Sequence, residues 1–246
     1  MKLERTKTIA TITLARPDNS NRIDLEMADA LIEACRLIAE DDGLRLVVLT
    51  AEGNVFSVDG GSAADERTEI GGYPAAAIGS LGIPVLVALG GDATGPGLEL
   101  ALAGDLRICV PSVRLGFTGL AQGILPRDGG TQRLPRLVGP AWARDMLFTG
   151  RMVDAAEALS IGLVNRVTEQ PSQLGDLVKE ISAQIAAGSP IGARYAKEAT
   201  GKGMDLSLEL GLGLEADLNV ILQSTSDRIE GMKSFLEKRP PKFTGS

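Results

Sequence analysis

Two glycine-containing loops and two carboxylates are the places where this chain could do chemistry. "FSVDGG" (residues 56–61) follows the apolar run "LRLVVLT", and "TGPG" (94–97) follows "IPVLVAL". Backbone N–H groups from two such turns, one of them opening a helix, can converge on a developing oxyanion and stabilise it. Glu99 stands within the first turn of the helix that "GPGLELALAG" implies, where the helix dipole favours an ionised carboxylate. It interrupts an otherwise apolar segment, and that interruption points to a base or a water-orienting group. Asp128, in "PRDGG", is either a second catalytic carboxylate or a cap for the helix beginning near "GGTQRL".

The chain has no histidine, which excludes Ser-His-Asp and Cys-His mechanisms and a His-ligated zinc site. Acid–base work must fall to carboxylates, tyrosines, lysines or water. No cluster of metal-ligand type is visible, so no metal is expected. "GPGLEL" lacks the third glycine of a dinucleotide fingerprint, so no nicotinamide site follows.

The elements that must hold these groups alternate. "TIATITLA" reads as a strand, "LEMADALIEACRLIAEDD" as an amphipathic helix, and "LRLVVLT", "IPVLVALGG" and "DLRICV" as buried strands. This alternation implies an α/β architecture. Asp154 is placed to cap the helix "DAAEALSIGLV", and from about residue 172 the pattern is helical only. Part of that region, "LSLELGLGLEADLNVILQS", is apolar on much of its circumference and suits either its own core or a partner subunit.

At 246 residues and 44% hydrophobic, the chain can bury a proper core. The net charge of −7 argues against nucleic acid. Cys35 and Cys109 fall in a helix and a strand and read as buried thiols of a reducing compartment. No run approaches a membrane span, and "MKLERTKTIATITLAR" lacks a secretory apolar region, so the expected setting is soluble and cytoplasmic.

Taken together, "LARPDNSN", "VVLTAEGNVFSVDGG", "IPVLVALGGDATGPGLELALAGDLRIC", "GILPRDGGTQRLPRLVG", "AAEALSIGLVNRV" and "FLEKRPPKF" resemble the enoyl-CoA hydratase/isomerase (crotonase) family. The resemblance covers nearly the whole chain. It implies a spiral of ββα units over residues 1–188, then a helical region over 189–246 that forms trimers or hexamers. It implies chemistry on acyl-CoA thioesters with no cofactor beyond the coenzyme A of the substrate. The first oxyanion donor falls on Gly60 and the second on Pro96, where the proline removes the N–H; Gly97 is the neighbouring donor. One family glutamate falls on Glu99 and the other on Gly119, and Asp128 matches a position where some members carry a functional aspartate. Arg16, Arg22, Ser57, Val58, Asp59 and Gly119 fall at substrate-binding positions. Asp59 stands where a small residue is usual, as a gained catalytic group or a solvated loop residue. The implied activity is hydration of a 2-enoyl-CoA, with double-bond isomerisation, another reaction of the family or a catalytically impaired acyl-CoA binder as alternatives.

Overall fold

A computed structural model describes residues 1–58 and 72–246. Its organising feature is a repeated pair of strands that splits between two sheets. β3 (Leu46–Ala51), β5 (Val85–Leu89) and β7 (Leu106–Cys109) lie in a large sheet; each is followed by a short strand, β4 (Val55–Ser57), β6 (Asp92–Thr94) and β8 (Arg114–Gly116), in a small one. A helix closes each of the first two pairs, α2 (Pro74–Gly79) and α3 (Pro96–Ala103). The large sheet has the order β1-β2-β3-β5-β7-β10, with β1 (Lys2–Arg5), β2 (Ile9–Leu14) and β10 (Arg166–Val167). Only its β1–β2 pair is antiparallel. The small sheet has the order β4-β6-β8-β9, with β9 (Val153–Asp154) antiparallel to β8. This is the ββα spiral expected from the sequence. The short second strands, such as β6 inside "GGDATG", are too brief to show a two-residue period in the sequence.

The continuous apolar runs make sense as strands buried on both faces. Val47, Leu49, Val85 and Val87 face the main core with Met27 and Leu31 of α1 (Leu25–Ala39). Leu46, Val48, Leu86 and Ala88 face the opposite side, where Ile181 of α6 (Leu174–Ala186) covers them. Helix starts follow local chemistry. The Asp24 side chain accepts from Met27 N at α1, and Asp154 from Glu157 N at α5 (Ala155–Ser160). α4 (Gly130–Thr149) is broken at Gly139 ahead of Pro140.

The last helices are α7 (Pro190–Gly203), α8 (Leu208–Gln223) and α9 (Ser226–Leu236). Lys197 of α7 pairs with Asp105 at 2.8 Å. Buried Asp227 accepts from Ser189 Oγ and from the N–H groups of Thr244 and Gly245, which fastens the tail. Leu208, Leu210, Leu212, Val220 and Ile221 of α8 remain exposed. Among the described residues, no helix is long and apolar enough to cross a membrane, and no cluster of histidine, cysteine and acidic residues could hold a metal.

Candidate active site

α3 is an eight-residue helix sunk into the core, with every residue from Gly97 to Ala103 buried. Gly97 makes this depth possible: a Cβ there would lie 2.4 Å from the Ser57 carbonyl oxygen. The helix start is thus wedged against β4 as no larger residue would allow. At the other end, buried Arg107 donates to the Gly104 carbonyl at 2.6 Å and to Ala101 O at 3.4 Å, satisfying C-terminal carbonyl oxygens, and to Leu163 O at 2.8 Å. Burial lowers its pKa to about 10, which leaves it charged at neutral pH.

Because α3 is buried, so is Glu99, at 2% exposure. A carboxylate at that depth needs hydrogen-bond donors. Oε1 accepts from the backbone N–H of Asp128 at 2.7 Å and of Gly130 at 2.8 Å. The approach requires glycine at 130, where a Cβ would come within 2.8 Å of Phe117 and 3.1 Å of Oε1 itself. Burial pushes the Glu99 carboxyl above its ordinary pKa, and the N–H groups of Gly130, Asp128 and Arg127 only partly offset this. The Asp128 carboxylate turns the other way. Its oxygens accept from Ala75 N at 2.5 Å and Ala76 N at 3.0 Å, at the start of α2. Burial raises its pKa too, against those two bonds and the charges of Arg133 and Arg127.

Glu99 stands between two hollows. A cavity of about 650 Å³ is walled by Phe117, Leu120, Ile124, Leu125, Leu147 and Phe148, with Arg22, Pro96, Gly119 and Arg127 also at its edge. A chamber of about 160 Å³ lies beside Tyr73, Pro74 and Asp128. Ile23, Pro96, Glu99 and Arg127 belong to both. The arrangement offers a largely apolar slot for a chain, with the buried Glu99 carboxylate shared with the smaller chamber and Asp24, engaged by Arg16, also on its lining.

The structure therefore brings Glu99, Pro96, Gly119 and Arg22 to one cavity and Asp128 to the adjoining chamber. Arg16 stands apart from both: its Nη2 donates to Asp24 Oδ1 at 2.5 Å and to Arg22 O at 3.1 Å. Ser57 is 1% exposed beneath Gly97, and Val58 N donates to Ser20 O. Neither of the two, nor Gly97, lines the hollows. Asp59 and Gly60 lie outside the described residues. At the turn opening α3, Pro96 has no N–H and the Gly95 N–H donates to Gly116 O at 3.2 Å. Where the second glutamate would stand, a Cβ on Gly119 would meet the Ile124 Cβ at 3.1 Å.

Sequence reasoning missed Arg127, which fronts both hollows although "PRDGG" displays it beside Asp128. It also missed Asn21. This fully buried side chain donates to Glu52 O at 2.8 Å and Val55 O at 3.1 Å and accepts from Arg16 N at 2.8 Å. It thereby ties the first turn to the β3–β4 connection.

The enoyl-CoA hydratase/isomerase family matches residues 4–246. The crotonyl-CoA hydratase of Syntrophomonas wolfei is 34% identical, over 98% of this chain and 96% of that protein. The (E)-benzylidenesuccinyl-CoA hydratase of Thauera aromatica is 36% identical, over 99% and 98%. Among solved structures, an enoyl-CoA hydratase from Bacillus anthracis superimposes with a TM-score of 0.90 at 34% identity, covering 100% of this chain and 99% of that one. The chain belongs to the enoyl-CoA hydratase/isomerase family, as a hydratase-like acyl-CoA enzyme with the crotonase fold.

Proposed function

We propose that the protein adds water across the double bond of a 2-enoyl-CoA, with Glu99 as the single proton-carrying group. The observation that carries this reading is the setting of Glu99: buried, fixed through Oε1 by two backbone N–H groups, and open to the cavity. The other carboxyl oxygen takes a proton from water as the water oxygen bonds to the β-carbon. The π electrons move onto the α-carbon and the thioester oxygen, and Glu99 then returns the proton to the α-carbon. Water's oxygen and both its hydrogens end in the 3-hydroxyacyl product, and the carboxylate is regenerated.

The apolar cavity takes the acyl chain, and Gly60 supplies the oxyanion donor. Arg22 at the cavity edge is the cationic contact for the coenzyme A phosphates. Two relatives that hydrate 2-enoyl-type thioesters, by their names, support the substrate class. The enzyme works in the cytoplasm without a further cofactor. The exposed leucines of α8 form its interface as a homotrimer or hexamer. A second reading, movement of a double bond along the acyl chain, is favoured by the same one-carboxylate site.

Purified protein is incubated with crotonyl-CoA, longer 2-enoyl-CoAs and, separately, a 3-enoyl-CoA while the absorbance of the conjugated thioester is followed. Loss of absorbance with formation of 3-hydroxyacyl-CoA is expected. Measurable binding of the ester with no turnover would replace the hydratase by an acyl-CoA binder; conversion of a 3-enoyl to a 2-enoyl ester alone would favour the isomerase.

A further inference from the structure

We propose that Asp128 is a positioning residue: its carboxylate clamps the 126–130 turn to α2 and thereby holds two backbone N–H groups on Glu99. The path is continuous. Ala75 N and Ala76 N donate to Asp128 Oδ2 and Oδ1; the backbone N–H of the same residue, Asp128, donates to Glu99 Oε1, joined by Gly130 N. Arg133 reinforces the joint, donating from Nη1 to Asp128 O at 2.6 Å and from Nη2 to Ala75 O at 3.5 Å. Four backbone donors are thus organised by two carboxylates facing opposite ways.

α2 is a suitable anchor because its Ala75 and Ile78 side chains are fully buried in the core. The preceding chain is not anchored in this way. Leu120, Gln122, Gly123, Leu125 and Arg127 are exposed, and the backbone bonds of Gly123 and Ile124 run to Leu120 and Gly119, within the segment. Asp128 is where that stretch is tied to the rest of the molecule. Both of its oxygens already accept N–H bonds from the start of α2, so the carboxylate is committed to that helix. This assigns Asp128 a place in the site different from a general acid.

The proposal rests on Glu99 as the base, so its test has a readout independent of turnover. Asp128→Asn and Asp128→Ala are compared. Both remove the aspartate's charge, but asparagine keeps a carbonyl oxygen that can accept one of the α2 N–H groups. With a 2-enoyl-CoA, the Ala variant is expected to lose about 100-fold in kcat with KM changed less than about threefold, the size of effect a misplaced catalytic group produces. The Asn variant should retain at least about a tenth of wild-type kcat. Equal, complete loss in both variants would assign Asp128 as the acid and overturn the proposal. Unchanged kcat in both folded proteins would also overturn it, leaving only a structural cap.

The second readout is the NMR titration of the Glu99 carboxyl carbon in the same two proteins. Arg127 on the turn, Arg133 on α4, and Arg22 and Asp24 across the cavity are common to both. Any difference between them therefore reports the N–H donors. The Glu99 midpoint is expected higher in Ala than in Asn, since release of the donors removes what favours its charged form. Identical midpoints would overturn the clamp whatever the enzyme's activity. A higher midpoint with no turnover by the wild type would leave the clamp standing and sink the hydratase reading alone.

Discussion

The first turn of α3 carries two neighbouring positions whose backbone surroundings differ. At Glu99 every requirement of a buried carboxylate is met: donors at 2.7 and 2.8 Å, a glycine that makes room, and a turn fastened to a second helix. Three residues earlier, Pro96 has no N–H, and the Gly95 N–H is used up on Gly116 O. On the proposed reading the proton-handling half of the site is fully built, whereas at the oxyanion half position 96 offers no N–H and Gly95 offers none that is free. A deep helix start can support either function, but they ask different things of the backbone. Glu99 needs the helix only as a place to stand, whereas an oxyanion needs the helix's own N–H groups.

The largest expected effect breaks the stronger half. Glu99→Gln should lower kcat by about 10³-fold, within the range for general acid–base groups, while ester binding measured by calorimetry changes little. The same variant should be more stable at neutral pH. Burial raises the Glu99 pKa in the folded protein, so its contribution to stability is present at low pH and is lost as the pH rises through that folded value. A Tm gain of about 2–4 °C at neutral pH, shrinking on acidification, is what roughly 1 kcal/mol produces in a chain of this size.

Pro96→Gly sharpens the weaker half. A restored donor is worth about 2.7–4 kcal/mol when well aimed, but a glycine beside Gly95 and Gly97 is less preorganised. A rise in kcat of about 10-fold is therefore expected in steady-state assays. A fall would show that the site is built around the proline.

A smaller effect is expected from rebuilding the second carboxylate. Gly119→Glu alone forces its Cβ against Ile124 at 3.1 Å and should reduce activity severalfold. Combined with Ile124→Gly, which removes both the Cβ at 3.1 Å and the Cγ2 at 3.2 Å, it should recover wild-type kcat or exceed it by about threefold. Failure of the double variant to outperform the single one would show that Ile124 is not the obstacle.

Much of this architecture was legible from the chain. The buried strands announced themselves as apolar runs, and Asp24 and Asp154 stand where capping residues belong. Glu99 was conspicuous because it interrupts an apolar helix. What sequence could not show was direction. Asp128 reads equally as an acid or as a cap of its own helix. Its partners are instead 52 and 53 residues away at α2, a pairing no local pattern encodes. Arg16 and Ser57 sit at plausible binding positions but are occupied by Asp24 and Gly97. Asn21 looked like one more polar turn residue, and only the fold reveals it as buried. Asn21→Ala should cost about 2 kcal/mol by stranding two carbonyls and the Arg16 N–H, seen as a Tm lowered by roughly 4–8 °C.

The most direct test of a one-carboxylate site is the pH dependence of kcat/KM for crotonyl-CoA. The chain offers a clean background, with no histidine and both thiols pushed up to about 12. If Glu99 both takes and returns the proton, activity should fall only on the acid side. It should do so through a single ionisation above the ordinary carboxylate range, with a plateau through neutral pH. A bell-shaped profile, with a second limb from a group that must stay protonated, would contradict the account.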